Sequence, residues 1–168
     1  METSSTIKII TRGDRVVELT RVFDASPALV FDALTRPDLL RRWYAPAGWT
    51  LDLCEIDLTV GGGWRIISRK PNGKSVGQFG VFREIEHPTR IVRTEAWEDW
   101  DAGETLVTMV LAGENGRTKL TNTVLFPSRE IRDEILKAGM ESSASIIYDS
   151  LADLLAEMEN ESTNEFGK

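Results

Sequence analysis

The sequence predicts an α+β domain: a curved antiparallel sheet of about seven strands, two short helices after the first strand, and a long C-terminal helix lying across the sheet. Three observations predict it. Residues 49 to 126 form six strand-like segments separated by turn-forming clusters, residues 26 to 46 hold two stretches with helix-start signals, and residues 128 to 159 carry an apolar stripe at helical spacing.

The first strand is "RVVELTRVF" (15–23), rich in β-branched residues and partly alternating. In "DASPALVFDALT", Ser26 is placed to cap a helix and Pro27 to take its first position, where a missing N–H is harmless. In "TRPDLLRRWYAP", Thr35 and Asp38 have the spacing of a capping box, Pro37 helps to start the turn, and Pro46 limits continuation past Trp43 and Tyr44. The meander then reads "WTLDLCEIDL", "GGWRIISRK", "VGQFGVFREIE", "RIVRTEAWEDW", "ETLVTMVLAG" and "RTKLTNTVLF", with "VGGG", "KPNGKS", "EHPT", "DAG" and "ENG" as separators. The last helix starts with Ser128 as its cap and runs to Glu159, bent at Gly139. Its stripe is Ile135, Met140, Ala144, Ile147, Leu151, Leu154 and Met158. Residues 1–14 read as an N-terminal extension, 15–159 as a single domain and 160–168 as a flexible tail.

Composition narrows the function. With 168 residues, 41% hydrophobic and 28% charged, the chain is suited to one domain with a substantial core. A net charge of −7 argues against a nucleic-acid partner, because phosphate contacts call for a basic field. No run reaches the length of a membrane span, and "METSSTIKII" lacks a signal-peptide layout, so a cytoplasmic protein is expected. Cys54, between apolar neighbours, reads as a buried structural thiol. With one histidine, His87, read as a solvated turn residue, neither a metal site nor a nucleophile–histidine pair is expected, and no cofactor.

The order of elements and the stretches "VFDASPALVFDALTRPDLLRRWYAP", "DLTVGGGWRI", "GVFREIEHPTRIVRTEAW", "GRTKLTNTVLF" and "GMESSASIIYDSLADLLAE" make the chain similar to the helix-grip fold of the START and birch-pollen-allergen-like (SRPBCC) superfamily. Within it the chain resembles the family named after the C-terminal domain of the activator of Hsp90 ATPase. The resemblance implies a cavity between curved sheet and long helix, of the kind that holds lipids, polyketides or other apolar molecules. It also implies cyclase or dehydratase chemistry in some members, and the family name implies a chaperone activator. Around residues 139 to 151 the family pattern is similar to Gly-Met-x-x-Gly-Trp-x-x-x-Leu-x-x-Leu. Here Ser143 and Ala144 replace the Gly-Trp pair and Tyr148 the first Leu. An absent indole withdraws roughly 150–250 Å² of aromatic surface from the grip.

Strand alternation supplies the candidate lining. Trp64 and Ile66 share a face, as do Leu120, Asn122 and Val124, and Phe79, Val81, Trp97 and Met109 are further candidates for the concave side, although "LVTMVL" is apolar on both parities and leaves the face of Met109 open. From the helix, Met140, Ala144 and Tyr148 face the same space. Arg65, Arg69, Arg83, Arg93 and Glu95 are expected to pair on the outer face, unless Glu95 follows Trp97 inward as an acid or anchor. The expected function is binding of a small, mainly apolar ligand, with no catalytic residue assigned. The alternatives are a cyclase or dehydratase using Asn122, Tyr148 or Glu95, and a chaperone-associated module presenting Trp43, Tyr44, Trp49 and Trp100 as an exposed patch to a protein partner. A monomer or homodimer is expected.

Overall fold

The computed structural model describes residues 6–45 and 47–166; Pro46 lies outside them. One eight-stranded antiparallel sheet runs through the molecule in the order β1-β2-β8-β7-β6-β5-β4-β3. Its strands are β1 (Lys8–Arg12), β2 (Val16–Phe23), β3 (Thr50–Ile56), β4 (Gly63–Arg69), β5 (Ser75–Glu86), β6 (Arg90–Trp97), β7 (Trp100–Glu114) and β8 (Arg117–Leu125). The strands β3 to β8 form a meander, and β2 closes onto β8. The helices are α1 (Pro27–Thr35), α2 (Pro37–Trp43), α3 (Arg129–Lys137) and α4 (Met140–Phe166). Among the described residues no helix is long and apolar enough to cross a membrane.

The strand β1 falls within the N-terminal segment set apart by sequence, and it brings the count to eight. It pairs with β2 from Lys8 opposite Thr20 to Arg12 opposite Val16. As a largely exposed edge strand it buries no alternating face, so its sequence carries little of the usual strand pattern. The strand β7 also exceeds expectation: the turn after β6 is Glu98–Asp99, and "DAG" continues the strand, with Gly103 at φ +89°. Register shifts occur between Leu51 and Leu53, Phe82 and Glu84, and Glu95 and Trp97. Bulges of this kind bend a strand locally.

Helix starts follow the local chemistry. Ser26 Oγ accepts from the Leu29 amide at 3.3 Å, and Ser128 Oγ from the Ile131 amide at 3.1 Å. Thr35 does not cap α2, contrary to the capping-box spacing. Its hydroxyl donates back to the Phe31 carbonyl at 2.8 Å, so it closes α1, and Pro37 alone sets the start of α2. The expected single C-terminal helix is two helices. Gly139, at φ +99°, stands between α3 and α4 in a conformation that L side chains rarely adopt, which stops α3 rather than bending it. The helix α4 then runs past Glu159 to Phe166.

Two polar ties and one aromatic contact hold α4 against β2 and β8. Arg21 Nη1 lies 2.6 Å from the Asp149 carboxylate, Asn122 donates to Tyr148, and Tyr148 meets Phe23 edge-on at 6.0 Å. Further along, Leu151, Leu154 and Leu155 join the core with Phe23, Phe31, Trp43 and Leu120. The apolar end of α4 is thus packed shut. Its first turns, where the side chains are Ser143, Ala144 and Ile147, border open space.

Candidate functional site

That open space is a cavity of about 490 Å³ between the start of α4, α3, α1, α2 and the inward face of the sheet. The volume falls within the range of small-molecule sites. Leu19, Val107, Met109, Val124 and Phe126 from the strands, Leu34, Leu40 and Trp43 from α1 and α2, and Ile135, Met140, Ala144 and Ile147 from α3 and α4 make most of its wall apolar. Exposed Ala138, Ser143 and Trp100 mark its rim, so the cavity meets solvent between the α3–α4 junction and the β6–β7 turn.

Two polar groupings interrupt this wall. In the first, the Tyr44 hydroxyl donates to Gln78 Oε1 at 3.1 Å and Gln78 Nε2 donates to Glu95 Oε1 at 3.1 Å. Arg93 Nη2 stands 3.8 Å from Glu95 Oε2, beyond hydrogen-bond distance, and the guanidinium lies over Trp64 at 4.3 Å from the ring centroid. Arg93 is 8% exposed and its Nε has no hydrogen-bond partner. Burial pushes the Glu95 carboxyl above its ordinary range, opposed by Arg93 and by the bond from Gln78. Burial likewise raises the Tyr44 phenol far above its usual value.

In the second grouping, Asn122 Nδ2 donates to the Tyr148 hydroxyl at 3.1 Å, while Asn122 Oδ1 is buried without a partner. Burial raises the Tyr148 phenol, so it stays a neutral donor at physiological pH.

Six of the ten residues singled out by sequence line this cavity: Trp97, Met109, Asn122, Met140, Ala144 and Tyr148. The other four do not. Trp64 and Ile66 face inward but are consumed by the core. The Trp64 indole donates to the Thr94 carbonyl at 3.0 Å by passing over Gly80, where a Cβ would collide with both. Phe79 and Val81 lie on the opposite face of β5, Phe79 being 43% exposed, because Gln78, Gly80 and Phe82 take the inward parity. Arg93 and Glu95 are inward, not paired on the outer face, since they share the parity of Ile91. Trp43 and Tyr44 are also turned in: the Trp43 indole donates to the Ala33 carbonyl at 2.8 Å, and Tyr44 lines the cavity. The expected exposed aromatic patch is therefore not formed by these two.

Sequence reasoning missed Tyr44, Gln78 and Arg93 as cavity residues. A signal existed for Gln78. Counting back from the Asn72–Gly73 turn pairs Trp64 with Gly80, a large aromatic opposite a glycine, which assigns Gln78 and Phe82 to the same face. Cys54 is buried as expected, and His87 is exposed with its ring edge-on to Phe31 at 4.6 Å.

Comparison with known proteins places this geometry in a wider set. The model of the family described as activator of Hsp90 ATPase homolog 1-like protein matches residues 24–156. A crystal structure from Rhodobacter sphaeroides shares 31% identity, covers 91% of this chain and 99% of its own, and superposes with a TM-score of 0.86. A protein from Nitrosomonas europaea is similar at 21% identity, covering 89% and 99% of the two chains with a TM-score of 0.80. An HSP90 activator from Plasmodium falciparum is similar at 23% identity, covering 73% and 87% with a TM-score of 0.53. No curated protein matches the sequence.

Proposed function

The chain belongs to the activator of Hsp90 ATPase homolog 1-like family, with its helix-grip fold, and from that premise we propose that it binds a small, mainly apolar molecule between a curved sheet and the start of α4. The observation that carries this reading is the cavity of about 490 Å³ whose wall is apolar yet holds polar groups without partners. Protein interiors are close-packed, and an apolar space of this size forfeits dispersion contacts along its whole lining. A ligand restores them. Ala144 keeps the side chain small where the space lies.

Titration with an uncharged apolar dye, N-phenyl-naphthylamine, tests the reading. Saturable one-to-one fluorescence enhancement, abolished by Ala144→Trp, supports it. Absence of saturable binding to the folded protein contradicts it.

The comparisons speak more directly for a second reading, a chaperone-associated interaction module, through the family's description and the HSP90 activator among the similar structures. The inward placement of Trp43 and Tyr44 leaves this reading with half-buried Trp49 and exposed Trp100 alone of the four aromatics first assigned to its surface. Saturable binding to purified Hsp90, unaffected by Ala144→Trp, would favour it.

A further inference from the structure

The two polar groupings in the cavity are unequal in what they lack. Arg93 makes no hydrogen bond among the described residues. Its nearest carboxylate, Glu95, is 3.8 Å away, and its buried Nε has no partner. A buried guanidinium in this state wants an oxygen acceptor. Its nearest acidic group, Glu95, already stands beside it at 3.8 Å. A ligand carboxylate would place a second acid next to that one, whereas a carbonyl oxygen would fill a guanidinium donor without adding charge.

The Asn122–Tyr148 pair lacks something else. Tyr148 accepts from Asn122 Nδ2, which leaves its own O–H proton unplaced, and Asn122 Oδ1 has no donor. One hydroxyl group answers both needs. It accepts the phenol proton, and it donates to the amide oxygen once the Asn122 amide turns about the soft Cβ–Cγ torsion and gives up its Nδ2 bond to Tyr148.

Sheet register fixes the spacing of the two ends. Arg93 is opposite Val107, Val107 is opposite Val124, and Asn122 is two residues from Val124. Two strand spacings across and two residues along give a Cα separation of about 12 Å. Between them the wall is Val107, Met109 and Val124.

Building on the reading of the cavity as a ligand site, we propose that it takes a molecule with an apolar body, an uncharged carbonyl oxygen at the Arg93 end and a hydroxyl at the Asn122–Tyr148 end. The test is a calorimetric series on the unmodified protein near neutral pH: methyl ω-hydroxydecanoate, methyl decanoate, decanol and ω-hydroxydecanoate. The hydroxy ester is expected to bind tightest, with each missing group weakening binding roughly 3- to 10-fold, and the free acid weaker than its ester. Arg93→Met should erase the preference for the ester over the alcohol and keep the preference for the hydroxyl; Asn122→Leu should do the reverse. Arg93→Lys, which keeps the charge but loses Nε and the planar fork, serves where Arg93→Met does not fold.

Equal affinities across the series, or tighter binding of the acid, overturn the proposal and leave the cavity reading intact, as does binding of N-phenyl-naphthylamine with none of the four. Failure of all five probes to bind overturns both.

Discussion

Tyr148 on α4 and Asn122 on β8 are joined by a 3.1 Å hydrogen bond that spans the inner edge of the cavity and links the helix to the middle of the sheet. The bond leaves the amide oxygen of Asn122 buried without a donor. Tyr148→Phe removes the acceptor for Nδ2 and leaves the whole amide unpaired. It should destabilise the ligand-free protein by about 1–3 kcal/mol in urea unfolding. The double variant Tyr148→Phe/Asn122→Leu should cost less than the sum of the single changes, because the unpaired amide is gone. Additive losses would show that the pair is not coupled.

Gly80 is the position where backbone, rather than side chain, carries the packing. A Cβ there would collide with the Thr94 carbonyl and with the Trp64 indole nitrogen that bonds to it. Gly80→Ala should therefore destabilise by on the order of 3–5 kcal/mol, at the severe end for a single substitution. Trp64 fluorescence should shift to the red. A change under about 0.5 kcal/mol, inside the ordinary range of surface substitutions, would contradict the packing described.

Glu95 gives a pH test. Its carboxyl is raised above the ordinary range chiefly by burial. A carboxyl with a raised folded-state pKa binds its proton more tightly when folded, so stability is complete below the unfolded value and is lost as pH rises through the folded one. Glu95→Gln removes that loss. The variant should gain on the native protein as pH rises from below about 4.3, the ordinary glutamate value, towards neutrality. A pH-independent difference, read by urea unfolding at both ends, would contradict it.

Gly139 is expected to resist substitution for a conformational reason. Nothing lies near a Cβ built there, so space is not the obstacle, but φ is +99°. Gly139→Ala should cost about 1–3 kcal/mol through backbone strain alone. Because Gly139 joins the helices beside the cavity rim, dye association should change rate as well. An unchanged urea midpoint would mean that α3 and α4 readjust into one helix.

Much of this fold was legible because patterning and punctuation agreed. The strands of the meander lie between their turn formers except at "DAG", which continues β7, and Ser26 and Ser128 cap where their spacing says. The misses have local causes. The strand β1 buries too little to alternate, and the Thr35 hydroxyl donates to a carbonyl of its own helix instead of accepting from the amides of the next. In the candidate site, Trp97, Asn122 and Met109, the last left open by alternation, line the cavity, whereas Phe79 and Val81 lie on the other face of β5. The inward face of β5 instead carries Gln78, whose bonds to Tyr44 and Glu95 depend on partners remote in sequence. Buried polar networks of that sort are set by tertiary register and leave little trace in composition.

Ala144 bears most directly on the cavity, since a large side chain there enters the space at the start of α4. Native mass spectrometry of the protein purified without organic solvent, beside Ala144→Trp prepared identically, is the decisive measurement. The native protein is expected to carry a non-covalent adduct that organic solvent releases, and Ala144→Trp to carry none while its urea midpoint holds or rises, as filling a cavity without strain allows. The bare chain mass for both proteins, together with a loss of about 1–3 kcal/mol in Ala144→Trp from overpacking, would contradict a ligand-binding cavity.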